Sequence, residues 1–393
     1  MRIIRLLCPV LALLLLFGLT PVFAAPFEVS EKPDAAVVTA TDEKGLPCKS
    51  AILMDAATGT VLYEQNADEA LPPASVTKIM TLLLVMEAVG EGRIAMTDTV
   101  TTSAHAASMG GSQVYLKEGE TMSVADMVKS VVIASANDCA VALAEYTAGS
   151  EEAFVARMNE KAAALGMANT HFENTNGLDD TAVHHVASAR DIALMSRELI
   201  RYDIILQYSS TWMDSIRDGT FGLTNTNRLV RFYPGCNGLK TGSTSRAGFC
   251  VSATARRGDL SLICVVMGAE SRDVRNRTAA KLLDMGFADY SAYAKEGGEI
   301  TLPTEGATVP AATVRYAAFG AVVPKGSAGR VQAETVLPQK LTAPLAAGQE
   351  VGAVVFTLDG REIGRVPILV SEDVPKIGFF SLFKRMLAQM FLT

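Results

Sequence analysis

Two strand hairpins stand at opposite ends of a long helical stretch, and no other feature limits the fold as much. Residues 50–54 and 60–63 read as strands joined by the turn Ala57-Thr58-Gly59. Residues 248–255 and 260–267 repeat the pattern around a turn at 256–259. Between them, residues 74–205 read as mostly helical. Val76, Ile79, Met80, Leu83 and Met86 mark one apolar helical face, and Val124, Met127, Val128 and Val131 mark another. Strands at both ends of such a stretch predict one antiparallel sheet with the helices inserted and packed over it. A further helix over about 275–283 closes this unit near Tyr290.

From about residue 294 the texture changes. Pro303, Pro310, Pro324, Pro338, Pro344 and Pro367 interrupt short Val-rich runs, and Asp359-Gly360 is a hairpin signal between 354–357 and 363–366. This predicts a small all-β domain over 293–373. At 393 residues and 49% hydrophobic, the chain is long and apolar enough for two such cores, which excludes a disordered protein.

The two ends read differently from the folded middle. Arg2 and Arg5 precede a Leu-rich run, and Val22 and Ala24 sit at −3 and −1 of a cleavage pattern, so residues 1–24 are expected to be a removed export signal. Residues 25–49 form a polar lead-in. At 374–393, Phe379, Phe380, Leu382, Phe383, Met386, Leu387, Met390 and Phe391 fall on one helical face, with Lys384 and Arg385 on the other. Spanning a bilayer needs roughly 20 mostly apolar residues, so this shorter segment is expected to lie along a membrane surface. Pro375 and Gly378 suggest a break before it.

Several chemistries are disfavoured. With 35 Lys+Arg against 42 Asp+Glu, the net charge of −7 gives no case for a nucleic-acid partner. The only histidines are His105, His171, His184 and His185, and none follow HxH or HxxxH spacing, which argues against a His-ligated zinc. His184 and His185 would face opposite ways on a strand. No cofactor is expected. Cys139, Cys250 and Cys264 sit in apolar runs and read as buried free thiols. If Cys250 and Cys264 lie on paired strands, a one-residue change of register puts them on opposite faces.

Three short elements carry the chemistry. Pro73-Ala74-Ser75-Val76-Thr77-Lys78 opens the first helix, so Ser75 lies beside free backbone N–H groups and Lys78 shares its face. A serine hydroxyl needs a base, and a lysine desolvated near other cations can act as one. Alone this pattern is weak, since Ser381-Leu382-Phe383-Lys384 also fits it. Ser135-Ala136-Asn137 lies between two helices, where Ser135 could relay a proton and Asn137 could bind a substrate amide. Lys240-Thr241-Gly242-Ser243 opens the second hairpin region, adding positive charge, a hydroxyl, and a glycine that lets a ligand backbone approach the strand edge. Each element alone reads more simply as a cap or a turn.

In this order and context the three resemble the motif set of the penicillin-binding proteins, and among these the low-molecular-mass serine-type D-alanyl-D-alanine carboxypeptidases. The segments PASVTKIMT, SANDCAVALAE, HFENTNGL, GLKTGST and AGFC are similar to family segments as well. The resemblance implies an α/β (α+β) penicillin-binding transpeptidase/β-lactamase-like domain over 50–292, followed by the β domain and a membrane anchor. It implies that Ser75 attacks a D-Ala-D-Ala bond of a peptidoglycan stem peptide with Lys78 as base, and that β-lactams acylate the same serine. Ser135 would protonate the leaving D-alanine, and Asn137 would hold substrate amides. The Ser75 and Ser243 N–H groups would hold the oxyanion, and Lys240, Thr241 and Arg275 the terminal carboxylate. The expected location is the outer face of the bacterial cytoplasmic membrane.

Rival readings share some of these residues. A class A β-lactamase needs a glutamate in an ExxLN pattern between the second and third elements, and no Glu here fits. A D,D-endopeptidase would use the same acyl chemistry on cross-links. A non-catalytic penicillin sensor should have lost one of the five polar groups Ser75, Lys78, Ser135, Asn137 and Lys240, and all are present.

Overall fold

The computed structural model describes residues 45–179, 182–380, 382, 383 and 387. The expected export signal and most of the expected anchor lie outside the described residues. Strands β1 (Ser50–Asp55) and β2 (Val61–Gln65) form the first hairpin. The second hairpin region supplies β3 (Cys236–Thr244), β4 (Gly248–Arg257) and β5 (Leu260–Ala269). The five make one antiparallel sheet of order β2-β1-β5-β4-β3, which leaves β3 at an edge. The two hairpin regions are thus joined through the β1–β5 pair, as their separated patterns predict.

Both faces of this sheet are covered. Ile52, Met54, Ile263, Val265 and Met267 point to one core, while Ala51, Leu53, Leu262, Cys264 and Val266 point to the other. That is the two-residue alternation of a strand buried on both sides. On the first face lie α1 (Lys78–Gly90), α2 (Val124–Ile133), α3 (Asn137–Ala148), α4 (Glu151–Ala164) and α5 (Ala189–Leu199). The opposite face is covered by α6 (Arg272–Asp289), through Ala279, Leu282, Leu283 and Phe287.

Two readings of the sequence need correction. The α1 pattern predicts one apolar face, but Leu82, Leu84 and Val85 are buried as well. This helix is enclosed by its neighbours, so burial runs around its whole circumference. Helix α6 begins earlier than expected because the Ser271 hydroxyl accepts the Val274 N–H and caps it. The cysteines behave as small apolar groups: the five among the described residues are free. A bulge between Phe249 and Val251 shifts the β4–β5 register, and Cys250 and Cys264 belong to opposite cores.

The C-terminal region is β structure. Strands β6 (Tyr290–Lys295) and β9 (Phe319–Pro324) pair with each other. A six-stranded mixed sheet contains β7 (Gly298–Glu305), β8 (Ala311–Tyr316), β10 (Val331–Val336), β11 (Leu341–Thr342), β12 (Glu350–Leu358) and β13 (Arg361–Val370). Phe319 stacks on Phe356 at 4.0 Å in its core. Asp359 and Gly360 both have positive φ, 51° and 80°, which is what a two-residue hairpin turn between right-twisted strands requires. Pro303, Pro324 and Pro367 sit within strands and do not interrupt them. Pro324 ends its strand, and Pro367 lies beyond the β8 ladder, which begins at Ile368.

Candidate active site

The serine of the first element lies in a 3-10 turn, Ala74–Thr77, that runs directly into α1. Lys78 is buried, and its Nζ donates to Ser75 Oγ at 2.9 Å and to the Asn176 carbonyl at 2.6 Å. Burial holds this lysine well below its ordinary pKa. The Lys240 charge pushes the same way, and Asp138 opposes them. The Ser75 hydroxyl therefore faces an amine whose charged form is disfavoured.

Ser135 is the middle residue of the three between α2 and α3, with φ +65°, a left-handed conformation that turns the chain there. Lys240, on the edge strand β3, donates to Ser135 Oγ at 2.8 Å and to the Thr241 carbonyl at 2.9 Å. Burial, then the Arg275 charge, lower the Lys240 pKa to about 7. Two serine–lysine pairs thus stand in one site. Asn137 donates through Nδ2 to the Gly110 carbonyl at 2.7 Å, while its buried Oδ1 has no partner. The acceptor capacity of this oxygen is used by no group among the described residues.

Gly242 has a different role from the expected one. A Cβ there would lie 2.8 Å from the Ser75 nitrogen and 2.9 Å from the Pro73 oxygen. The backbone admitted by this glycine is the Ser75 turn itself. Thr241 donates to Thr226 Oγ1 at 2.9 Å. Ser243 follows on the same strand, exposed and opposite Phe249. Arg275 lies within the first turn of α6. It is buried, and its Nη1 donates to the carbonyl of Cys250, the residue paired with Gly242. Its guanidinium acts on Lys240 through charge, while it donates hydrogen bonds to the Cys250 carbonyl and Asn276 Oδ1.

Three supporting groups escape sequence reading. Asn176 contributes a backbone carbonyl to Lys78, a role that its side chain does not signal. Asp138 is fully buried and accepts the Val114 and Leu116 N–H groups, holding the loop that carries Gly110. Thr226 pairs with Thr241 from a loop outside all three motifs.

The Lys240 shift has a measurable consequence. Between about 7 and its ordinary 10.5, the unfolded chain keeps a proton that folded Lys240 has lost. Stability contributed at this position therefore rises with pH across that window and is lowest below it. Urea unfolding of the wild type and Lys240→Met at pH 6, 7.5 and 9 should show the variant's relative stability falling as pH rises. A pH-independent difference would mean that Lys240 stays charged in the folded protein.

Comparison with known proteins agrees with this geometry. Over 84% of its length the chain superposes on 98% of the crystal structure of penicillin-binding protein 5 from Haemophilus influenzae, with a TM-score of 0.76 and 32% identity. The fold is thus that of the penicillin-binding serine peptidases. In sequence it is 41% identical to the D-alanyl-D-alanine carboxypeptidase DacF of Bacillus subtilis, covering 88% of this chain and 90% of that protein. Identity to DacC of Escherichia coli, also a D-alanyl-D-alanine carboxypeptidase, is 38% over 84% of both chains. Residues 37–271 match the D-alanyl-D-alanine carboxypeptidase family, and 308–376 match the penicillin-binding protein 5 C-terminal domain. The chain belongs to the D-alanyl-D-alanine carboxypeptidase family of serine hydrolases.

Proposed function

We propose that the carboxypeptidase reaction of this chain runs through an acyl-enzyme on Ser75. Lys78 takes the hydroxyl proton as Ser75 Oγ attacks the carbonyl between the last two D-alanines of a stem peptide. Ser135, backed by Lys240, delivers a proton to the departing D-alanine nitrogen. Water then hydrolyses the ester and regenerates Ser75. The backbone N–H groups of Ser75 and Ser243 hold the oxyanion, and Asn137 Oδ1 receives a substrate amide. Lys240, Thr241 and Arg275 read the terminal carboxylate. The contact that carries this reading is the 2.9 Å approach of the buried Lys78 amine to Ser75 Oγ. Mass spectrometry with diacetyl-L-Lys-D-Ala-D-Ala, and separately with penicillin, tests it. Release of one D-alanine and a penicillin adduct on Ser75 are expected, and an adduct on any other residue would defeat it.

Arg275→Ala should weaken peptide turnover more than penicillin labelling. If peptides with a free and an amidated C-terminus lose turnover equally, Arg275 does not read the carboxylate.

Residues 50–292 are taken as the peptidase domain, 293–373 as the β domain, and 1–24 as a cleaved signal that places the enzyme outside the cytoplasmic membrane. Residues 374–393 are proposed to bind that membrane's surface. Phe379, Phe380, Leu382 and Phe383 are exposed, which supports this reading. Among the described residues no helix is long and apolar enough to cross a membrane. Truncation after Asp373 should leave catalysis intact and move the protein from the membrane to the soluble fraction. A truncated protein that still sediments with membranes would place the anchor elsewhere.

A further inference from the structure

His185 takes no part in the chemistry above, yet it is buried against the turn that carries Ser75. Its neighbour His184 lies in a bend and is exposed. The Glu173 backbone N–H, which can only donate, points to His185 Nδ1 at 3.0 Å. Nδ1 is therefore an acceptor. An imidazole with both nitrogens accepting would be an anion, so Nε2 carries the proton and donates to Thr77 Oγ1 at 2.7 Å. With its oxygen so occupied, the Thr77 hydroxyl gives its own proton to the Ala74 carbonyl at 2.8 Å. The chain of donors has one direction from end to end.

Its last acceptor is an unusual residue. Ala74 has φ +49°, a left-handed conformation that a side-chain-bearing residue adopts only when its surroundings enforce it. Ser75 follows immediately. On the other side, Gly177 backs the same carbonyl so closely that a Cβ would lie 1.9 Å from the Ala74 oxygen. Gly177 adjoins Asn176, whose carbonyl holds Lys78. Phe172 meets the imidazole edge-to-face at 5.7 Å and helps fix the ring. Burial also keeps His185 neutral, with its pKa lowered to about 4.

We propose that His185 is a positioning residue of this site, locking the left-handed Ala74 through Thr77 and so aiming the Ser75 hydroxyl. The proposal rests on the reading of Ser75 as nucleophile. Acylation of the full chain by a fluorescent penicillin, followed in stopped flow, separates non-covalent binding from the acylation step. His185→Ala and Thr77→Val should each slow acylation roughly 10²-fold, the scale of a small misplacement of a reacting group. Non-covalent binding should change little. The double variant should be no slower than the slower single one, because both interrupt one chain. His185→Gln, whose amide can donate from nearly the same place, and Thr77→Ser should recover most of the rate. Nitrogen-15 NMR of the wild type should show His185 protonated on Nε2 alone at neutral pH.

A His185→Ala enzyme that acylates at the wild-type rate overturns the proposal. So does a folded His185→Gln variant as slow as His185→Ala, or an Nδ1-protonated ring. Penicillin labelling that survives in Ser75→Ala would instead overturn the nucleophile reading beneath it, so the two failures are told apart.

Discussion

A Ser75→Ala protein should fold normally, release no D-alanine and take up no penicillin. Ser75 is a partly exposed hydroxyl with a neutral-leaning amine at hydrogen-bond distance. Of the other hydroxyls nearby, Thr77 donates to the Ala74 carbonyl and Thr241 to Thr226, while Ser135 accepts from the Lys240 amine. Loss of the nucleophile in a serine hydrolase costs about 10⁶-fold in turnover, since no acyl-enzyme can form. Residual activity at the few-per-cent level would therefore be decisive against the assignment. Intact-mass measurement after penicillin exposure gives the same answer without a substrate. An adduct retained by the variant would point to Ser135 as the next candidate.

The parts of this site that were legible in the sequence are those whose chemistry resides in side chains. Ser75, Lys78, Ser135, Asn137 and Lys240 come from three separated segments, and the fold brings them together as two serine–lysine pairs with an unpaired amide oxygen beside them. The sheet was legible too, because two alternating hairpins at opposite ends of a helical run leave few ways to pair. What was hidden depends on backbone or on enclosure. Asn176 acts through its carbonyl, which every residue type possesses. Helix α1 shows an apolar face in sequence, but its complete burial depends on which helices surround it. Gly242 suggests room for a ligand, and what it admits is the Ser75 turn, a contact between segments about 170 positions apart in sequence. Helix α6 begins at Arg272, three residues before the expected start, because the Ser271 cap, not the apolar pattern, sets its first turn.

Replacing Lys78 should be nearly as damaging as replacing Ser75, but by a different route. General-base loss typically removes about 10²–10⁴-fold, and here the same amine also orients the Ser75 hydroxyl. Lys78→Met, which keeps most of the buried volume, isolates this effect better than Lys78→Ala. Lys78→Arg should not rescue activity, because a guanidinium cannot give up its proton to become a base. The pH dependence carries the stronger test. Lys78 can accept a proton only when neutral, so acylation falls as pH drops through its folded pKa. Burial is the main reason that this pKa is low, and the Lys240 charge is the second. Below about pH 7 Lys240 itself is protonated and repels a proton on Lys78. Lys240→Met removes that repulsion, so Lys78 holds its proton more tightly and the acidic limb of acylation should move to higher pH. Penicillin acylation rates of wild type and Lys240→Met, measured from pH 4 to 8, would show the displacement. A limb that moves to lower pH, or a Lys78→Met enzyme that acylates at the wild-type rate, would mean that Lys78 is not the group receiving the Ser75 proton.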